Sequence, residues 1–239
     1  MEVGQLGKHI AVIPARGGSK RIPKKNVIPF MGKPMIAWTI EAAILCGEFD
    51  AVYVSTDDPE IAGVAMNCGA AVPFLREVFA DDHSPVSLAT LDFVTKLLNV
   101  NPGDVVVQLM ANCPLRGSEA IRSAINDFHR DPEKRSVISG MPYGMFNPWW
   151  AHKIDDGGSA TPLLKEHQNG IRSQDLPKLL CPTGAIWIST FEKLKSENTF
   201  YSSGYRFYDV GWKAGVDIDD YHDLEFAKAV CQLARKDGN

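Results

Sequence analysis

The chain reads as an α/β protein with a mostly parallel sheet flanked by helices, and three observations predict this. Strand-length apolar runs alternate with helix-length amphipathic segments through residues 9–139, the pattern of a parallel sheet covered on both faces. The clearest strands, I-A-V-I at 10–13 and D-V-V-V-Q-L at 104–109, are continuous apolar runs rather than alternating ones, as strands buried on both sides require. The 239 residues are 45% hydrophobic and 23% charged, enough for one large core and ordinary for a soluble globular protein. A single domain over residues 1–239 follows.

The elements are justified in order. Residues 1–8 are polar and read as a loose tail. Residues 9–14 form a strand that stops at Pro14. Residues 34–46 form a helix, with Pro34 in its first turn, apolar residues from Met35 to Leu45 and Gly47 as the stop. Residues 51–55 (A-V-Y-V-S) are the next strand, and Thr56 or Asp57 caps a helix over 59–67. A short strand at 71–74 precedes a helix over 84–100 that places Leu88, Leu91, Val94, Leu97 and Leu98 on one face. The strand at 104–109, a helix at 118–128 and a strand at 136–139 complete the alternation. Residues 141–175 are rich in Pro, Gly and aromatics and read as loops with a small β-arm. A strand at 184–189 follows, another ends at 217–219, and an amphipathic helix covers 223–236.

The bulk chemistry excludes several classes. A net charge of −4 argues against general nucleic-acid binding, which needs an excess of Lys and Arg over a face. Cys46, Cys68, Cys113, Cys181 and Cys231 are dispersed, without a C-x-x-C pair. That fits reduced thiols in a cytoplasmic protein better than a disulfide framework or a zinc site. No export signal or membrane-spanning run is apparent.

Against this acidic background residues 16–25 carry Arg16, Lys20, Arg21, Lys24 and Lys25, five cations hinged by Gly17 and Gly18 and closed by Asn26. The loop follows the first strand, where ligands of open α/β sheets bind. Backbone N–H groups and cations brought together there suit a polyphosphate. Neither G-x-x-x-x-G-K-[ST] nor G-x-G-x-x-G is present. A second constellation is V-D-I-D-D at 216–220. On a strand, Asp217 and Asp219 face the same side, roughly 6–7 Å apart at Cα. Paired carboxylates of this kind suit Mg²⁺; the competing role is helix capping by Asp219 or Asp220.

The string A-R-G-G-S-K-R-I-P-K-K-N at 15–26 resembles the signature of the CMP-sialic acid synthetase family. The similarity continues through V-S-T-D (54–57), P-F-L-R (73–76), P-L-R (114–116), Q-D-L-P (174–177), G-A-I (184–186) and D-I-D (217–219). The resemblance implies a Rossmann-like fold of the nucleotide-diphospho-sugar transferase type. It also implies transfer of CMP from CTP to the anomeric hydroxyl of a nine-carbon 2-keto-3-deoxy sugar acid, with release of pyrophosphate. By the same resemblance Ala15, Arg16, Gly17, Lys25 and Asn26 hold the triphosphate, with Arg16 and Lys25 catalytic. Arg76 and Ser87 lie near cytosine and ribose, and Asp217 and Asp219 hold Mg²⁺. Met110, Arg172, Gln174 and Trp187 face the sugar, whose carboxylate falls to Arg172 or Lys165. A homodimer is implied as well, with 141–175 as the arm.

Departures from the family pattern cluster in the sugar half. Met110 stands at a usual glutamine and Gln108 lies one strand period earlier; Ser173, Cys181 and the Trp149-Trp150 pair replace polar or cationic groups. These changes suit a deoxygenated diamino sugar of the legionaminic or pseudaminic kind, the Trp pair lining either the pocket or a dimer contact. Cys113 reads as a structural thiol. The alternatives are a Kdo-type or other sugar nucleotidylyltransferase, a GT-A-like glycosyltransferase, for which a triphosphate loop has no purpose, and a non-catalytic nucleotide sensor.

Overall fold

The computed structural model describes residues 7–81, 84–164 and 172–236. Most of the expected tail, together with Lys165 and part of the 141–175 segment, lies outside the described residues. The central sheet contains β1 (His9–Pro14), β4 (Ala51–Ser55), β5 (Val105–Gln108), β6 (Val137–Pro142), β9 (Leu180–Thr190) and β10 (Arg206–Asp209). Their order across the sheet is β10-β6-β9-β5-β1-β4. β1 pairs in parallel with β4 and β5, and β10 with β6, while β9 runs antiparallel to both its neighbours. Two antiparallel ribbons lie outside the sheet: β2 (Pro29–Phe30) with β3 (Lys33–Pro34), and β7 (His152–Ile154) with β8 (Ala160–Pro162). The second ribbon sits in the segment read as a β-arm.

The period of two along β1 sends Ala11 and Ile13 to one face and Ile10 and Val12 to the other. The first face is covered by α1 (Met35–Cys46), α2 (Pro59–Asn67) and α4 (Ser118–Arg130) through Ile36, Ile40, Ile61, Ile125 and Phe128. The second is covered by α3 (Val86–Lys96) and α5 (Phe191–Glu197) through Phe93, Val94, Phe191 and Leu194. A short α6 (Gly211–Ala214) leads towards the C-terminal α7 (Tyr221–Lys236). A third cluster joins Ile22 of the basic loop, Phe30 and Met35 to Val216, Ile218, Leu224 and Ala227. This cluster is what brings residues 16–26 and 216–220 to one place.

Several expectations are corrected. The strand expected at 71–74 is one bridge, Tyr53 to Ala71, because Pro73 has no N–H to extend the ladder. The helix expected from 84 to 100 is α3, shorter at both ends. Pro85 precedes it and Leu97 leaves in an extended conformation, so Leu98 is 89% exposed rather than on a buried face. The α2 cap is Asp58, whose carboxylate accepts from the N–H groups of Glu60 and Ile61 at 2.7 and 3.2 Å, and neither Thr56 nor Asp57. Strand β9 is longer than expected, and β10 and α5 were not foreseen.

Residues 217–219 belong to no strand, against the expectation that a strand ends there. The carbonyl of Ile218 accepts from Lys25 Nζ at 2.9 Å and from Asn112 Nδ2 at 3.1 Å. Side chains occupy the acceptor that a neighbouring strand would have used.

Candidate active site

The site begins where β1 empties into the basic loop. Ala15 N–H donates to the Ser55 carbonyl at 2.9 Å, continuing the β1–β4 pairing for one residue. Gly17 N–H then donates to Asp57 Oδ1 at 2.9 Å, so the aspartate not used as a cap anchors the loop. A Cβ on Gly17 would lie 2.7 Å from Asp58 Oδ2 and 2.9 Å from Asp58 Cβ; only glycine permits this approach. Lys24 takes a left-handed backbone, φ 55°, which turns the chain so that Asn26 enters the protein. There its Nδ2 donates to the Arg16 carbonyl at 2.9 Å. Ile22 is 1% exposed, the apolar pin of an otherwise cationic loop.

Opposite the loop stand the acidic residues. Asp219 accepts from Lys25 Nζ at 2.9 Å and pairs with Arg21 at 2.8 Å. Burial pushes its carboxyl upward, but hydrogen bonds and charge from Lys25 and Arg21 outweigh this and hold it below the ordinary range. Asp217 is pushed up to about 6, by burial first and by the negative Asp219 second, with Lys25 and Arg21 only partly compensating. Two neighbouring carboxylates thus titrate in opposite directions, the signature of a crowded anionic site. Asp220 is the α7 cap, accepting from His222 and Asp223 N–H at 2.8 and 3.0 Å, and Asp223 accepts in return from Asp219 and Asp220 N–H.

Asn112, just beyond β5, completes the arrangement. Its Nδ2 donates to Asp217 and Ile218 and lies 3.4 Å from Asp219 Oδ1, while its Oδ1 is buried with no hydrogen-bond partner. Two carboxylates are hard donors of the kind Mg²⁺ takes, and Asn112 turns its amide nitrogen towards them rather than its unpartnered oxygen. Among the described residues, no group of three or more His, Cys, Asp or Glu side chains suits a metal. Substrate oxygens would have to complete the coordination, as is usual for Mg²⁺.

Between loop and acidic residues lies a cleft of about 440 Å³ lined by Arg16, Lys25, Asn26, Arg76, Met110 and Asp219, among others. Gly17 borders an adjoining groove with Arg16, Lys20 and Lys24. Arg76 is 5% exposed; its Nη1 donates to the Ser55 carbonyl and hydroxyl at 3.3 and 3.4 Å, and its Nε has no partner. Burial lowers its pKa against the pull of Asp57. A buried guanidinium with a spare N–H at the cleft wall is suited to a ligand carbonyl.

Other expected residues are placed elsewhere. Asp217 sits behind Asn112 and is not among the lining residues. Ser87 is buried and its hydroxyl accepts from Phe200 N–H at 3.4 Å. Trp187 opposes Gln108 across β5 and β9, donates from Nε1 to the Thr183 carbonyl at 2.7 Å and packs on Phe200 and Tyr201. Arg172 and Gln174 are exposed, Arg172 pairing with Asp175 at 2.9 Å. None of these five residues lines the cleft. Cys113 is fully buried, and desolvation raises its thiol well above the usual range. It is a packing residue.

A model of a family described as cytidylyltransferase matches residues 10–204. The chain belongs to this family. Among the relatives of this cytidylyltransferase, a pseudaminic acid cytidylyltransferase of Campylobacter jejuni is 33% identical over 229 residues, covering 95% of this chain and 97% of that one. A CMP-N,N'-diacetyllegionaminic acid synthase of Legionella pneumophila is 37% identical over 197 residues, 81% and 82% of the two chains. A CMP:2-keto-3-deoxy-manno-octonic acid synthetase solved with CTP superposes with a TM-score of 0.71 at 19% identity, over 95% of this chain and 100% of that one. That likeness speaks for the fold, a Rossmann-like α/β sheet. The cytidylyltransferase is thus a nucleotidyltransferase by family.

Two residues of the site were not singled out from the sequence. Arg21 stands in the basic run without an assigned role, and Asn112 belongs to no motif read from the sequence. Asn112 carried one usable signal, its place immediately past the carboxyl end of a buried strand.

Proposed function

We propose that the chain transfers CMP from CTP to the anomeric hydroxyl of a nine-carbon 2-keto-3-deoxy sugar acid and releases pyrophosphate. The observation that carries this is the meeting at one cleft of the Arg16–Asn26 loop and Asp219, latched by Lys25 through Asp219 and the Ile218 carbonyl. The relatives named for pseudaminic and legionaminic acids support a deoxygenated diamino sugar as the acceptor, as does the apolar Met110 at the cleft floor.

In the reaction the anomeric oxygen attacks the α-phosphorus, and the bond from that phosphorus to the bridging oxygen of the β-phosphoryl group breaks. The hydroxyl proton passes to solvent. Arg16, Lys25 and the loop N–H groups hold the triphosphate and stabilise charge as it collects on the departing pyrophosphate. Arg76 closes on the base side. Asp217 and Asp219 would hold Mg²⁺, which would supply charge neutralisation at the phosphates and acidify the hydroxyl, with Asn112 orienting both carboxylates. The exposed Met145, Phe146, Trp150 and Ile154 of the 141–175 arm support a homodimer through that arm. No helix among the described residues is long and apolar enough to cross a membrane, and the dispersed cysteines favour a cytoplasmic setting.

The test is pyrophosphate release with four nucleoside triphosphates against a panel of 2-keto-3-deoxy sugar acids. CTP with legionaminic- or pseudaminic-type acids should give turnover. Release only with another base, or with eight-carbon acids alone, would overturn the reading. Arg16→Ala and Asp219→Asn should each lower kcat/KM by about 10²–10³ with the circular dichroism spectrum unchanged.

A further inference from the structure

Beneath the cleft floor lies a buried polar pair for which the proposed chemistry has no use. Gln108, at the end of β5, is fully buried in the middle of the sheet. Its Oε1 accepts from the equally buried Thr90 hydroxyl of α3 at 2.7 Å. Its Nε2 approaches the sulfur of Met110 at 3.9 Å. A sulfur is a weak acceptor for a buried amide, so this arrangement is costly unless it does something for Met110.

Met110 is half-buried at the cleft, with its backbone anchored on both sides. Its N–H donates to the Gly184 carbonyl at 3.2 Å, and its own carbonyl accepts from Thr39 and Arg116 at 3.3 and 3.4 Å. Its side chain occupies the space a Cβ on Gly184 would claim, 2.7 Å from Met110 Cγ. The same point lies 3.5 Å from Asp217 Oδ2, so Met110 and Asp217 both close in on Gly184. Methionine is normally the most adaptable of apolar side chains. Here backbone, glycine notch and buried amide all restrict it.

We propose that Thr90 and Gln108 are positioning residues that hold Met110 as a rigid apolar floor for the acceptor. The acceptor then presents a C–H or methyl group, not a hydroxyl, towards β5. A mobile methionine could withdraw and admit a hydroxyl with its water; a pinned one leaves that hydroxyl without a partner. The inference rests on the cytidylyltransferase reading above and deepens it by naming what sets the sugar class.

The experiment uses the full chain with saturating CTP and two acceptors, a dideoxy diamino nonulosonic acid and N-acetylneuraminic acid. Wild-type turnover of the first tests the parent reading: no pyrophosphate from any acceptor would sink that reading, whereas the variants below address only the floor. Met110→Gln should lower the preference for the deoxygenated sugar by about tenfold or more. Thr90→Val keeps the shape and removes the hydroxyl; it should raise the acceptor KM about fivefold while leaving the KM for CTP within about twofold. Thr90→Ser, which keeps the hydroxyl, should restore the acceptor KM. Melting temperatures of all three accompany the kinetics. Thr90→Val with an unchanged acceptor KM would overturn the proposal, as would an equal rise in both KM values or a Met110→Gln preference equal to wild type. If Thr90→Val does not fold, Gln108→Met, which removes the buried amide at similar volume, replaces it under the same criteria.

Discussion

Lys25 shows how much one side chain does here. Its ammonium, 14% exposed, donates to a carbonyl and a carboxylate 193 and 194 residues away and still lines the cleft. Its companion Asp217 carries a proton-linked consequence. With a folded pKa of about 6 against an ordinary 3.8, the folded chain binds roughly one more proton than the unfolded chain between those values. That contribution to stability is fully present below pH 3.8 and is lost as pH rises through about 6. Asp217→Asn should therefore flatten the stability–pH curve between 4 and 6, measured by urea unfolding without metal; an unaltered slope would show that another group takes up the proton. The sequence marked Lys25, Asp217 and Asp219 because their residue types and spacing are chemically unusual. It was silent on Arg21 and Asn112, whose meaning comes only from partners far along the chain.

At the scale of elements, the loop works because a cap and an anchor are divided between neighbours. Asp58 closes α2, Asp57 takes Gly17 N–H, and Gly17 has no Cβ to separate them. Asp58 is held by two N–H groups, so it cannot swing clear of an added methyl. Gly17→Ala should accordingly displace the loop and raise the KM for CTP about tenfold or more. Gly18→Ala meets nothing within 4 Å and should bind CTP as wild type does. Calorimetric titration with CTP distinguishes the two, and equal affinities would contradict the loop geometry. The strands β1, β4 and β5 were legible because they are local apolar runs. β10 was not, since Arg206–Asp209 carries charge at both ends and is a strand only by pairing with β6. The antiparallel course of β9 was hidden for a similar reason: direction within a sheet is set by connections and not by composition.

Across the whole molecule, the sheet end opposite the cleft is held by a charge network at the end of α4. Asp131 accepts from the backbone N–H groups of Glu133 and Arg135, bonds Arg135 Nε at 2.9 Å and lies 3.4 Å from Arg206 Nε of β10. The hydrogen bond from Arg135 does most to hold its carboxyl far below the usual range, against the opposing effect of burial. A carboxylate so depressed stabilises the fold above about pH 4 and loses that contribution as pH falls below it. Asp131→Asn should lower the melting temperature at pH 7 and narrow the difference from wild type in acid; a constant difference at every pH would exclude the linkage. The α/β class was readable from alternation alone, as was the place of the basic loop after the first strand. The joining of that loop to residue 219 was not, because it depends on Ile22, Ile218 and Leu224 meeting in one cluster.

That meeting has a consequence for the order in which the enzyme becomes competent. The ribosome delivers the basic loop well ahead of the groups that receive Lys25, which follow it by 193 and 194 residues at positions 218 and 219. A nascent chain stalled with residue 210 at the tunnel exit should bind CTP no better than a polyanion of equal charge. Releasing residues 211–220 should switch selective nucleotide capture on, because only then does Lys25 meet Ile218 and Asp219.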